Sequence, residues 1–225
     1  MSCFLARRLP SLLLLPILLA TPVSAGQSTA PAQGRKRASS TPYTGDLSIF
    51  DSPGREQRLQ INRVMDILEI APGKGVADIG AGSGWFTVRA ARRVGSTGTV
   101  YAVDINPEAI RYIDQRVRRE SLPNVKTILS KSDDPMLPKE AVDAVLLLKT
   151  YHEVADPIML LKQLRPALKP GALVGIIDRE GNGTDHGITR KIVVEEAAQA
   201  GYRLLHAYDF VKADGMDYFL VFVAP

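Results

Sequence analysis

The chain has 225 residues, 45% hydrophobic and 23% charged, which suits one globular domain and excludes a disordered or polytopic membrane chain. Its formal charge of +4 is unevenly placed, because five basic residues (Arg7, Arg8, Arg35, Lys36 and Arg37) all precede the first acidic residue, Asp46, leaving −1 from there on. That balance lacks the basic footprint of a nucleic-acid binder. In chain order, Arg7-Arg8, the apolar run Leu9 to Ala20 and the small residues Val23-Ser24-Ala25 read as the three parts of a secretory signal. The run is shorter than the about 20 residues a bilayer span needs, and Pro16 interrupts it. Residues 1–25 are therefore expected to be a cleaved signal peptide and the protein to be exported, periplasmic or secreted, with an uncleaved anchor as the alternative. The single cysteine, Cys3, leaves with that signal, so the mature chain has no disulfide, thiolate metal site or cysteine nucleophile. Residues 26–41, "GQSTAPAQGRKRASST", bury little and read as a flexible linker. One domain, residues 42–225, remains.

From Asp51 the pattern alternates. Asp51 or Ser52 can cap a helix in which Ile61, Val64, Met65 and Leu68 fall at i, i+3, i+4 and i+7. Pro72-Gly73 ends it before a short strand, Val76 to Ile79. A helix from about Gly84 to Val94 and a strand from Thr99 to Val103 follow. Asn106-Pro107 is an N-cap with proline at the first helical position, opening a helix to about Arg119. Val125 to Leu129 is a strand, and Val142 to Leu148, apolar on both faces, is a central parallel one. Asp156-Pro157 repeats the cap, Leu161, Leu164 and Leu168 mark one helical face, and Lys169-Pro170-Gly171 breaks the chain before a strand from Ala172 to Ile177. A helix from about Ile188 to Ala200 precedes two strands, Tyr202 to Asp209 and Tyr218 to Val223. The alternation predicts an α/β, doubly wound, mostly parallel sheet. The last two strands are too closely joined for a crossover and must form an antiparallel hairpin at one edge.

In such sheets ligands sit beyond the carboxyl ends of the strands, where the strand order reverses. The turn "VADIGAGSGWFTV" places Gly80, Gly82 and Gly84 after the first strand. A dinucleotide fingerprint needs its last glycine one position later, where Trp85 stands. Asp78 lies within the first strand, where a pyrophosphate site has little use for a carboxylate. Asp104 closes the second strand, about 20 residues past the turn, where an acid can accept both ribose hydroxyls. Asp133 and Asp134 follow the third strand. Acids at three successive strand ends suit a ligand with a ribose and a cationic group.

The run "VADIGAGSGWFTVRAARRVGSTGTVYAVDINPEAI" resembles the first two motifs of class I S-adenosylmethionine-dependent methyltransferases, and "SDDPMLPKEAVDAVLLL" and "LKQLRPALKPGALVGIID" resemble the later ones. The likeness covers about residues 50–180 and implies that family's seven-stranded, Rossmann-like fold with an inserted antiparallel strand. It implies S-adenosylmethionine as cofactor, with Gly80, Gly82 and Gly84 lining its methionine part and Asp78 facing the amino end through water. Asp104 would hold the ribose, Ile105 would lie against adenine, and Asp133 would meet the adenine amine with Asp134 as competitor. "FDSPGREQRLQ" and "TYHEVADP" further resemble exported or lipid-anchored bacterial members.

"KTYHEV" lies past the fourth strand. Lys149 is placed to meet the methionine carboxylate, and Tyr151 and His152 to face the acceptor, His152 as a base near neutral pH; otherwise Tyr151 packs and His152 caps the next helix. Asp178, Arg179, Glu180 and His186 could line the acceptor mouth, and Tyr43 and Phe50 could form a lid. No residue set reads as a metal centre. The leading expectation is methyl transfer to a small-molecule or envelope acceptor, with no nucleic-acid partner, no integral membrane span and an oligomeric state left open. The alternatives are a cofactor-binding module without turnover and a nicotinamide-dependent dehydrogenase.

Overall fold

A computed structural model describes residue 1 and residues 42–182, 186–212 and 215–224; the expected signal peptide and linker lie outside the described residues. Seven strands form one sheet: β1 (Gly75–Ile79), β2 (Thr99–Asp104), β3 (Val125–Leu129), β4 (Val142–Leu148), β5 (Leu168–Arg179), β6 (Arg203–Tyr208) and β7 (Asp217–Val223). Their order is β3-β2-β1-β4-β5-β7-β6. Pairings from β3 through β5 are parallel, and β7 runs antiparallel to both neighbours, β5 and β6. The expected closing hairpin is present, with β7 as its inner strand and β6 at the edge. The chain winds outward from β1 through β2 and β3, then returns to the other side of β1 with β4. That reversal fixes where a ligand site belongs.

Six α-helices cover the sheet: α1 (Arg55–Leu59), α2 (Ile61–Ile67), α3 (Trp85–Val94), α4 (Pro107–Arg119), α5 (Pro157–Leu164) and α6 (Arg190–Gln199). Because the central strands are apolar on both faces, they build two cores. On one face Ala77, Ile79, Val145 and Leu147 pack with Leu160, Leu161 and Leu164 of α5 and Val193 and Ala197 of α6. On the other, Val76 and Leu146 pack with Ile61, Val64 and Met65 of α2 and Phe86, Ala90 and Val94 of α3. Each of the larger ones (Val, Leu, Ile, Met, Phe), fully buried, contributes about 1.5–3 kcal/mol relative to exposure. The two cap signals operate as read: Asn106 accepts from the Glu108 N–H at 2.9 Å and Asp156 from the Met159 N–H at 3.1 Å.

Four expectations are corrected. The first helix is split, because Gln60 takes a left-handed conformation (φ 47°, ψ 47°) between α1 and α2. Neither Asp51 nor Ser52 caps it; the cap position is Gly54, and the Asp51 carboxylate accepts from Ser83 Oγ and Arg116. Leu168 is not helical, since α5 ends at Leu164, a 3-10 turn carries Pro166, and Leu168 opens β5. Pro166 has no N–H with which to continue the helix. Finally, Lys169-Pro170-Gly171 does not break the chain. The pairing jumps from Val142–Leu168 to Ala144–Leu173, a bulge with Gly171 at φ +77° inside a 12-residue strand.

Candidate functional site at the sheet reversal

A cavity of about 970 Å³ lies at the carboxyl ends of β1, β2 and β4, within the size range of small-molecule sites. Its walls come from the turns after those strands and from residues 42–55. Gly80, at φ +75°, sits so close to the end of β4 that a Cβ there would lie 2.2 Å from Thr150 Cγ2. Gly82 donates its N–H to Asp104 Oδ2 at 2.8 Å, and Asn106 donates its N–H to Asp104 Oδ1 at 2.9 Å. Burial pushes the Asp104 carboxyl up from the ordinary aspartate value, against the pull of those donors. A carboxylate has about four acceptor sites, so Asp104 keeps acceptor capacity for a ligand hydroxyl beside these backbone donors. Ile105 lines the mouth at 38% exposure.

The remaining sequence candidates divide. Gly84 does not line the cavity; it occupies the left-handed cap of α3, where a Cβ would lie 3.1 Å from Ile113 Cγ1. Asp78 is buried behind the glycine turn rather than on its wall, accepting from Thr87 Oγ1 at 2.6 Å. Burial, added to by the Asp104 charge and opposed by Thr87 and Arg55, raises its pKa to about 6. Asp133 is exposed, beside the lining residues Ser130, Lys131 and Ser132, and Asp134 Oδ1 accepts from the Met136 N–H at 2.8 Å, locking the turn. Lys149 lines the cavity, but its Nζ is already 2.5 Å from Oδ1 of the buried Asp217.

At the far end of the cavity the neighbours Tyr151 and His152 diverge. Tyr151 is fully buried and donates its hydroxyl to Glu196 Oε2 at 2.9 Å. Its side chain serves the core, a correction to its expected place facing the acceptor. His152 lines the cavity, as do Glu153 and His186. Asp178, expected at the mouth, is instead fully buried beneath His152. It takes His152 Nδ1 at 2.8 Å and the His152 N–H at 3.0 Å. Burial disfavours the charged imidazole, but Asp178 and Glu153 outweigh it and the His152 pKa moves up. Arg179 and Glu180 do not line the cavity; Glu180 pairs with Arg190 at 2.5 Å.

Tyr43 and Phe50 line the near wall with rings 5.4 Å apart, edge to face. The wall is tied down by Asn106 Nδ2 donating to the Tyr43 carbonyl at 2.8 Å and by Asp51 accepting from Ser83 Oγ and Arg116, both at 2.9 Å. Trp85 is buried, with the Arg55 and Arg89 guanidinium groups 4.6 and 3.9 Å from its ring, so it packs rather than meeting a ligand. Sequence reasoning missed Arg55, a cavity-lining cation whose pKa burial lowers and Asp78 and Asp51 partly restore. Its signal is that it opens the helix after Pro53-Gly54, within the run "FDSPGREQRLQ".

Comparison with known proteins follows the same lines. Residues 76–171 match a family model described as a methyltransferase domain. Protein-L-isoaspartate O-methyltransferase of Pyrococcus horikoshii is 30% identical over 106 residues, 47% of this chain and 46% of that protein. The 2-phytyl-1,4-naphtoquinone methyltransferase of Trichormus variabilis is 33% identical over 108 residues, 48% of this chain and 47% of its own length. The chain thus spans about half the length of these curated relatives. Among solved structures, a SAM-dependent methyltransferase from Aquifex aeolicus superposes with a TM-score of 0.72 at 25% identity, over 78% of this chain and 95% of that one.

Proposed function

We propose that the chain carries a class I S-adenosylmethionine-dependent methyltransferase domain and transfers a methyl group to a small-molecule or envelope acceptor, a reading supported by the methyltransferase-domain match over residues 76–171 and by the likeness to the Aquifex aeolicus enzyme. The observation that carries the proposal is Asp104, a cavity-lining carboxylate fixed by the Gly82 and Asn106 N–H groups at the reversal of strand order. That arrangement fits a ribose diol. The glycine turn lets backbone approach the methionine part, and Ile105 offers an apolar surface for adenine. Arg55, held over Trp85 and against the Phe50 carbonyl on the cavity wall, is the cation for the methionine carboxylate, Lys149 being paired with Asp217. Asp133, next to the wall formed by Ser130 to Ser132, remains the group for the adenine amine.

When bound, the sulfonium supplies an activated methyl group, and no covalent chemistry is required of the protein. The chain's own contribution is alignment, worth roughly 7–11 kcal/mol where a nucleophile is held in line. Residues 42–55 exclude water from the near wall. His152, with Nδ1 held by Asp178, is the group that meets the acceptor. Resemblance to a naphthoquinone methyltransferase supports a small-molecule acceptor. Export from the cytoplasm, resting on residues 1–25, belongs to the same proposal, and a reporter fused behind those residues tests it: reporter activity confined to the cytoplasm overturns export.

Calorimetric titration with S-adenosylmethionine, its demethylated product and a nicotinamide dinucleotide tests the assignment. The first two should bind, and Asp104→Ala should weaken both by roughly tenfold to a hundredfold for each charged hydrogen bond lost. Binding of the dinucleotide alone overturns the reading. Transfer of label from the donor to apolar small molecules or envelope extract then tests turnover.

A further inference from the structure

Asp178 accepts three times: from the His152 N–H at 3.0 Å, the Arg179 N–H at 2.8 Å and His152 Nδ1 at 2.8 Å. It is fully buried, and this set of donors fixes the His152 proton on Nδ1. The other ring nitrogen, Nε2, lies 3.1 Å from Glu153 Oε1. His186 Nδ1 lies 3.1 Å from that same oxygen. Two imidazole nitrogens and a carboxylate, from the turn after β4 and the loop after β5, bring their ligand atoms within 4.8 Å of one another. All three residues line the cavity.

We propose that His152 Nε2, Glu153 and His186 hold a divalent transition-metal ion at the acceptor end of the cavity. The two separations from Glu153 Oε1, 3.1 Å each, match the spacing that bonds of about 2.0–2.2 Å impose around one small ion. Two histidines with one carboxylate suit zinc, iron(II) or cobalt, not the all-oxygen shell of calcium or magnesium. A metal-bound histidine ordinarily gives its other ring N–H to a carboxylate that fixes tautomer and orientation, and Asp178 stands in that relation to His152. Three protein ligands leave further positions open, and these face the cavity. Resting on the methyl-transfer reading, this names the acceptor class: an oxygen donor, such as a phenol or enol, that binds the ion and loses its proton more readily there. His152 is then a ligand and Glu153 a ligand shared with the entering acceptor, rather than free bases.

The test is metal uptake, read without activity. Protein stripped with a chelator is titrated with zinc by calorimetry and with cobalt by visible absorption. One ion per chain is expected, with a cobalt spectrum of low coordination number. His186→Ala, at an exposed position, should weaken uptake by about tenfold or more, and Asp178→Asn by roughly 10–100-fold. His206→Ala, on β6 and away from the cavity, should leave it unchanged. No saturable uptake, or uptake equal in His186→Ala, overturns the proposal. Failure of donor binding with metal uptake intact would overturn the methyl-transfer reading alone.

Discussion

Gly80 and Thr150 are in such close contact that no side chain fits between them: a Cβ on Gly80 would lie 2.2 Å from Thr150 Cγ2 and 2.4 Å from its Oγ1. The contact joins the turn after β1 to the end of β4, the two strands that flank the reversal. Gly80→Ala must therefore move one of them, in addition to straining a residue at φ +75°. Loss of about 1–3 kcal/mol of stability is expected, with donor binding abolished. Denaturant melts and calorimetry on the same variant check both. Thr150→Ala, which opens space, should partly restore the melt of Gly80→Ala.

Arg55 and Lys149 separate binding from stability. Arg55→Ala should weaken S-adenosylmethionine binding about tenfold or more, the worth of a charged hydrogen bond. Lys149→Ala should act on the fold, because it leaves Asp217 buried at 1% exposure without its cation. Breaking such a pair costs about 3–5 kcal/mol. Equal losses of affinity in both variants would reverse the assignment.

Asp78 predicts a pH dependence. Its folded pKa of about 6 stands above the about 3.9 of an unfolded aspartate. The stability its protonated form lends is complete below about pH 4 and is lost as pH rises through about 6. Asp78→Asn keeps an acceptor for Thr87 and removes the titration. Above pH 6 the variant should be the more stable, by at most about 3 kcal/mol, and near pH 4 the two should match. Denaturation midpoints across that range check it.

Tyr151→Phe should cost about 1–2 kcal/mol through the lost bond to buried Glu196 and leave donor affinity unchanged. A fall in turnover without a fall in stability would instead return Tyr151 to the acceptor.

The strand and cap pattern was readable because it is local: Asn106-Pro107 and Asp156-Pro157 each hold their cap within three residues. Gln60 gave no such sign, since a left-handed glutamine is chosen by the packing of α1 and α2 on the sheet rather than by propensity. Pro170-Gly171 reads as a terminator in isolation, yet a parallel neighbour can absorb it as a bulge. The cavity-lining positions Gly80, Gly82, Asp104 and Ile105 were legible because they share the strand-turn-helix spacing. The acceptor half was not. Tyr151 and His152 are adjacent in a 3-10 turn, and only the sheet decides which faces the core. Glu153 in the turn after β4, Asp178 at the end of β5 and His186 in the loop beyond it gather around His152, and no spacing connects them.

β7 runs against its neighbours, so its first residue, Asp217, is delivered to the edge of the sheet where the other strands end. It also occupies the slot between β5 and β6. During synthesis β6 emerges first and has no partner until residues 217–223 follow, and Lys149 waits equally long for its counter-ion. The sheet therefore closes last at its most C-terminal strand, by contacts of high sequence separation that form slowly. A chain stalled before that strand presents a half-finished edge, so this site comes into being only once residues 217–223 have emerged.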